Sequence, residues 1–60
     1  REMKLIEFKP NYEIWSEPVA VAPNLEIAEN YIEEIKREYE HLYGSGEFFV
    51  GDIDYITEKE

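Results

Sequence analysis

Few side chains in this sequence have the types and spacing that catalysis or metal binding requires. Asp52 and Asp54 have the Asp-x-Asp spacing that opens a calcium loop, but the further oxygen ligands and the closing glutamate are missing. His41 is the single histidine, and neither Ser16 nor Ser45 stands in a pattern typical of a nucleophile. The chain has no cysteine, which excludes thiol nucleophiles and thiolate metal sites. We therefore expect a protein that is not an enzyme and that has no metal site and no cofactor.

The placement of the acidic residues is the strongest functional signal. Residues 1–24 contain four acids and three bases, a net charge of −1, whereas residues 25–60 contain eleven acids and three bases, a net charge of −8. Glu26, Glu33 and Glu40 recur every seven residues and so share one side of a helix, with Glu34 and Glu38 close by. Helical neighbours three or four residues apart are separated by about 5–6 Å at Cβ, which is comparable to the spacing of consecutive phosphates. This spacing fits a nucleic-acid mimic.

Two interpretations of this acidic surface stay open. In the first, the helical glutamates act with Asp52, Asp54 and Glu58 as a negative surface that docks on a basic groove, such as one that normally holds DNA or RNA. In the second, the helix face is simply solvated, Glu33 pairs with Arg37 four residues later, and the excess charge keeps a small protein in solution. Like charges four residues apart cost roughly a few tenths of a kcal/mol per pair, and this folding cost favours the first interpretation.

Aromatic residues form a second candidate surface. Trp15 and Tyr55 are flanked by acids in segments that we interpret as half-exposed strands. Because large aromatic side chains are enriched where proteins meet, we expect both in an interface with a second copy or with a partner. Four other rings are expected in the core: Phe8, Tyr31, Tyr39 and Phe49.

Composition limits the classes of partner and compartment. With 60 residues, a formal charge of −9 and a sequence pI near 4.4, the chain lacks the basic surface that nucleic acid and anionic lipid require. Basic protein partners are expected instead, with no direct binding to nucleic acid or membrane. No apolar run approaches the roughly 18 residues that span a bilayer, and no N-terminal signal pattern is present, so we expect a cytoplasmic protein.

One helix is predicted over residues 25–43. Asn24 suits the N-cap because its side-chain oxygen can accept from a backbone N–H that has no partner within the helix, and Gly44 suits the left-handed position that closes a helix. Between them the apolar residues are spaced by three and four, as on one face of an amphipathic helix. They are Leu25, Ala28, Ile32, Ile35, Tyr39 and Leu42.

Strand-like segments lie on both sides of this helix. Before it, residues 4–8 and 12–15 are separated by Pro10-Asn11, which fits either a hairpin turn or a bulge in one long strand. Residues 19–22 then lead into the helix. After the helix, residues 48–50 and 53–56 form a final strand, in which Gly51-Asp52 is expected to form a bulge.

These segments predict a single α+β domain over residues 1–60, with the element order ββαβ or βββαβ. A small, largely antiparallel sheet would carry the helix on one face. The other face has no covering element and a chain this short has a small core, so we expect a homodimer. Met3-Lys4-Leu5 is an ordinary start of an open reading frame, and we expect Arg1 and Glu2 to be an addition from cloning.

A resemblance extends these expectations. The segments VAVAPNLEIAENYIEEIK at residues 19–36 and EFFV at residues 47–50 resemble the strand-helix-strand pattern of small proteins common in phage and bacterial genomes. Several phage products of similar size and acidity are stoichiometric inhibitors of host defence or nucleic-acid enzymes. The resemblance implies an inhibitor or regulator of a larger basic protein in the host cytoplasm, and it assigns no role to any residue.

Two other functions fit the same sequence. In one, the chain is a homo-oligomeric structural or accessory module whose charge serves only solubility. In the other, Asp52 and Asp54 form the sensor site for an ion or ligand.

Overall fold

Four elements follow one another in the order β-β-α-β. The computed structural model describes residues 2–54, and within them the side chains of residues 3–53. The elements are β1 (Glu2–Pro10), β2 (Glu17–Ala22), α1 (Leu25–Tyr43) and β3 (Gly46–Asp54). The predicted α+β class is confirmed, with the shorter of the two element orders.

The sheet is antiparallel, with β1 in the centre and β2 and β3 at its edges. β1 and β3 pair without interruption from Glu2–Asp54 to Pro10–Gly46. The bulge predicted at Gly51-Asp52 is therefore wrong. Side chains simply alternate along β3, so that Phe48 packs under the helix and its neighbour Phe49 lies on the other face of the sheet.

A bulge occurs instead between β1 and β2. Ile6 lies opposite Ala20, and the next residue of β1, Glu7, lies opposite Pro18. Val19 is thus the extra residue of β2, and it packs against the core. Pro18 has no N–H to donate, and an edge strand next to a bulge tolerates such a residue.

The predicted strand at residues 12–15 is wrong, because residues 11–16 form the loop between β1 and β2. The Glu13 N–H donates to the Pro10 carbonyl (3.0 Å), and the Asn11 N–H donates to the Ser45 carbonyl (2.9 Å). Pro10-Asn11 therefore begins a turn that is hydrogen-bonded to Ser45, just after the C-terminal end of the helix. Ile14, which contributes to the strand-like composition, is 86% exposed.

Helix α1 has the predicted bounds and the predicted caps. The Ile27 N–H donates to Asn24 Oδ1 (2.9 Å), with Asn24 in an extended conformation. At the other end Gly44 has a φ of 81° and donates its N–H to the Glu40 carbonyl (2.8 Å). Both caps satisfy backbone groups that a helix leaves without an internal partner.

The core lies between α1 and one face of the sheet. Its buried apolar residues are Ile6, Phe8, Ala22 and Ala28. Phe8 is 3% exposed and contacts the rings of Phe48 and Tyr39. Two of the four rings expected in the core are not buried there: Tyr31 is 39% exposed and Phe49 is 42% exposed.

The other face of the sheet carries no element within the described residues. By strand alternation and register it presents apolar side chains from all three strands. We refer to it as the open face, and its apolar residues are Met3, Leu5, Val21, Phe49 and Ile53. Val21 and Phe49 are exposed, and the other three are half-buried.

Candidate functional site

The glutamates spaced by seven residues lie together on the outer side of α1. Glu26, Glu33 and Glu40 are all exposed, and at about 100° per residue they occupy neighbouring positions around the helix axis. Glu29 is also exposed and lies three residues after Glu26 and four before Glu33. We refer to these four residues as the acidic ridge.

The two other predicted glutamates of the helix lie further around its axis, toward β2. Glu34 is rotated by about 100° from Glu33, and Glu38 by about 160° from Glu40. On this flank Tyr31 and Ile27 face the edge strand β2. The structure therefore separates Glu38 from the acidic ridge, whereas Glu34 lines the same shallow surface depression as Glu33 and Glu40.

Two bases, Lys36 and Arg37, interrupt the ridge between Glu33 and Glu40. Lys36 Nζ lies 3.7 Å from Glu33 Oε2, and both side chains are largely exposed. Glu33 thus pairs with Lys36, three residues later, instead of with Arg37 as expected. An exposed pair of this kind contributes roughly 0–1 kcal/mol, so its main effect is to reduce the negative charge at the centre of α1.

The predicted acidic residues of β3 lie away from the ridge. Asp52 forms an ion pair with Lys4, which lies opposite it on β1. Asp54 ends β3 opposite Glu2, and only its backbone is described. Tyr55 and Glu58 lie outside the described residues.

Trp15 lies in the loop at residues 11–16 and is 57% exposed. Its exposed neighbours in that loop include Ile14 and Tyr12. Next to it, Ser16 Oγ donates to Glu7 Oε1 (3.2 Å). The ring is therefore available at the surface, although in a loop rather than in the expected half-exposed strand.

Residues considered for catalysis or metal binding are dispersed. His41 is exposed in the last turn of α1, and Ser45 follows Gly44 after the helix. Within residues 2–54, no group of three or more histidine, aspartate and glutamate side chains is arranged to hold a metal ion.

A cleft of about 100 Å³ lies where the loop at residues 11–16 meets the C-terminal end of α1. Phe8 forms its buried floor, and the ring centroid of Tyr39 lies 5.2 Å from that of Phe8. The Tyr43 ring follows at 5.4 Å from Tyr39. We refer to this site as the aromatic cleft, and its principal residues are Phe8, Tyr12, Glu13, Glu17, Tyr39 and Tyr43.

The surroundings of Tyr39 disfavour negative charge. Burial raises the pKa of its hydroxyl above the ordinary value of 10.0, and the neighbouring acidic groups Tyr43, Tyr31, Glu38 and Glu17 raise it further. The acids of the helix and of β2 thus converge on one tyrosine. Burial, the largest cause, disfavours a charge of either sign, and only the smaller effect of the neighbouring acids favours a cation over an anion.

Sequence reasoning missed the aromatic cleft. Its residues come from positions 8 to 43 and meet only because the loop after β1 is tied to the residues that follow α1. One local signal was present, since Tyr39 and Tyr43 are four residues apart and share a helix face. Glu13 and Glu17 carry no sequence signal that separates them from other surface acids.

Helix α1, the helix within residues 2–54, is not long and apolar enough to cross a membrane.

Comparisons with known proteins add no family to these observations. The chain matches no protein-family model, and neither the curated proteins nor the solved structures include a match to it.

Proposed function

We propose that this chain is a small acidic protein-interaction module that binds a larger basic protein and inhibits or regulates it. The observation that carries the proposal is the charge of α1, which has six acids and two bases along 19 residues. All four residues of the acidic ridge are exposed. Such a surface attracts a basic partner over long range and orients it during encounter.

The N-terminal half of the ridge is its most negative part. Glu26, Glu29 and Glu33 follow at intervals of three and four residues, which places consecutive carboxylates about 5–6 Å apart at Cβ. Beyond them the Lys36–Glu33 pair reduces the charge. This spacing supports a partner whose basic groove normally holds DNA or RNA, so that the helix acts as a nucleic-acid mimic.

Exposed aromatic residues supply the apolar contact that charge alone does not. Interfaces are stabilised mainly by a few desolvated anchors, among which tryptophan is enriched. Trp15 is more than half exposed in a short loop. It is our candidate anchor beside the electrostatic contacts of the ridge.

The sequence resemblance suggests the biological form of this module. We propose a phage-encoded inhibitor that acts in the host cytoplasm on a defence protein or a nucleic-acid-handling protein. A stoichiometric inhibitor needs no catalytic site, and its action would be steric occlusion of the basic groove.

Affinity capture from a host lysate tests this function. The immobilised chain should retain a basic protein at about 0.05 M salt and release it at about 0.5 M salt or on addition of DNA or RNA. The variant E26K/E33K/E40K should not retain it. Equal retention by this variant, after circular dichroism has shown that it is folded, would mean that the ridge does not bind the partner.

A homo-oligomeric module is the second candidate, and the open face favours it. Of the described charged side chains, this face carries Glu7, Lys9 and Glu47 by register, a net charge of −1, compared with −4 on α1. A second copy can therefore approach the open face while the two acidic helices stay on the outside. The apolar residues of the face would lie at the centre of such a dimer.

A further inference from the structure

The aromatic cleft has the size of a site for one side chain. Its volume of about 100 Å³ is below the roughly 300 Å³ at which pockets for drug-sized molecules begin. The cleft opens to solvent between the loop at residues 11–16 and the end of α1. A protruding side chain of a binding partner can enter it from that direction.

The chemistry of the lining selects for a cation. Aromatic rings present negative electrostatic potential at their faces, and a cation within about 6 Å of a ring centre is attracted to it. Glu13 and Glu17 line the same cleft as Tyr39 and Tyr43 and add two acidic side chains to it, and none of the described residues that line the cleft is basic. Burial, and after it neighbouring groups that include Glu38 and Glu17, raise the pKa of the Tyr39 hydroxyl, so negative charge does lie close to this ring.

Backbone contacts hold the two sides of the cleft in place. The Asn11 N–H donates to the Ser45 carbonyl (2.9 Å), which ties the start of the loop to the segment after α1. The Glu13 N–H donates to the Pro10 carbonyl (3.0 Å), and this turn carries Tyr12 and Glu13 to the rim. A site formed in advance in this way loses less entropy when it binds.

We propose that the aromatic cleft binds the guanidinium group of an arginine side chain on the basic partner. This proposal rests on the proposed function and names the anchor that the partner would supply. A guanidinium is planar and weakly hydrated, so it can stack on the tyrosine rings while its N–H groups donate to the carboxylates of Glu13 and Glu17. The compact, strongly hydrated ammonium of lysine can do only part of this.

Titration with small peptides tests the cleft without the partner. The probes are acetyl-Gly-Arg-Gly-amide and the same peptide with citrulline, which keeps the shape of arginine but has no charge. Heteronuclear NMR should show shifts of the Tyr39, Tyr43 and Glu13 signals with arginine, at a dissociation constant on the order of 1–10 mM. Citrulline should give no saturable shifts. Equal binding of both peptides, or tighter binding of a trimethyllysine peptide, would overturn the assignment to arginine.

Paired variants locate the binding. E13Q/E17Q should weaken arginine binding by about threefold to tenfold. The control E26Q/E33Q removes the same amount of charge from the acidic ridge and should change it by less than about twofold. If the control weakens binding as much as E13Q/E17Q does, the cleft is not the site. If the wild type captures a basic partner but does not bind the arginine peptide, the arginine site in the cleft is overturned and the proposed function is not. If the wild type binds the peptide but captures no basic protein, the proposed function is overturned and the arginine site is not.

Discussion

The ring of Phe8 lies against the backbone of Gly46 at the start of β3. A Cβ atom at position 46 would lie 2.5 Å from Phe8 Cζ and 2.6 Å from the Lys9 carbonyl oxygen. Real Cβ atoms do not approach other atoms so closely, so the absence of a side chain at Gly46 lets the central ring of the core fit over the β1–β3 pair.

Gly46→Ala should therefore destabilise the protein by about 1–3 kcal/mol, as expected for overpacking a core. Gly51→Ala is the matched control in the same strand, since a Cβ there meets no atom within 4 Å, and alanine should be neutral or stabilise by up to roughly 1 kcal/mol. Urea unfolding followed by circular dichroism measures both. Equal effects of the two substitutions would show that Phe8 does not occupy this position.

The N-cap of α1 gives a second prediction. Asn24→Ala removes the acceptor of the Ile27 N–H and should lower the free energy of unfolding by about 1 kcal/mol. Asn30→Ala, at an exposed position within the helix, should be neutral or stabilising because alanine has the higher helix propensity. An Asn24→Ala variant as stable as the wild type would contradict the cap.

Tyr39 makes stability depend on pH in the alkaline range. Its pKa is raised in the folded chain, first by burial and then by neighbouring acidic groups, so the folded state retains the phenol proton to higher pH than the unfolded state does. Stability should therefore fall as the pH rises from the ordinary value of 10.0 through the raised pKa. Tyr39→Phe should show a smaller fall, whereas Tyr12→Phe at an exposed ring should behave as the wild type. Urea titrations at pH 8 and pH 11 compare the three.

Self-association through the open face gives a fourth prediction. Multi-angle light scattering should give the mass of a dimer, and the dimer should persist at about 0.5 M salt because apolar contacts are not screened. Phe49→Lys should produce the monomer, whereas Leu42→Lys, a comparable change at an exposed position near the end of α1, should leave the dimer intact. A wild-type monomer at all concentrations would exclude the homo-oligomeric module.

Local signals explain which parts of the fold could be predicted. The bounds of α1 follow from Asn24, Gly44 and an apolar spacing of three and four, which all act within one element. At residues 12–15 the strand-like composition is misleading, because Tyr12, Ile14 and Trp15 have no neighbouring strand and remain exposed in the loop. Strand assignment needs a partner strand, and the sequence of a single segment does not show one.

Of the candidate sites, too, the one that depends on local spacing could be predicted and the one that depends on tertiary contacts could not. The ridge could be predicted because Glu26, Glu33 and Glu40 lie on one helix and their spacing determines their side. The aromatic cleft could not, since it depends on the contact between the loop after β1 and the end of α1. Likewise the pair between Lys4 and Asp52 follows from strand register and not from sequence distance.

The affinity of the captured partner for the wild type and for E26K/E33K/E40K, measured by titration calorimetry at about 0.05 M salt, tests the role of the acidic ridge most directly. We predict that the triple variant binds about 100-fold more weakly, while E47K, a charge reversal on β3 away from the ridge, stays within about threefold of the wild type. Equal affinity of the folded triple variant and the wild type would contradict a ridge that docks on a basic protein.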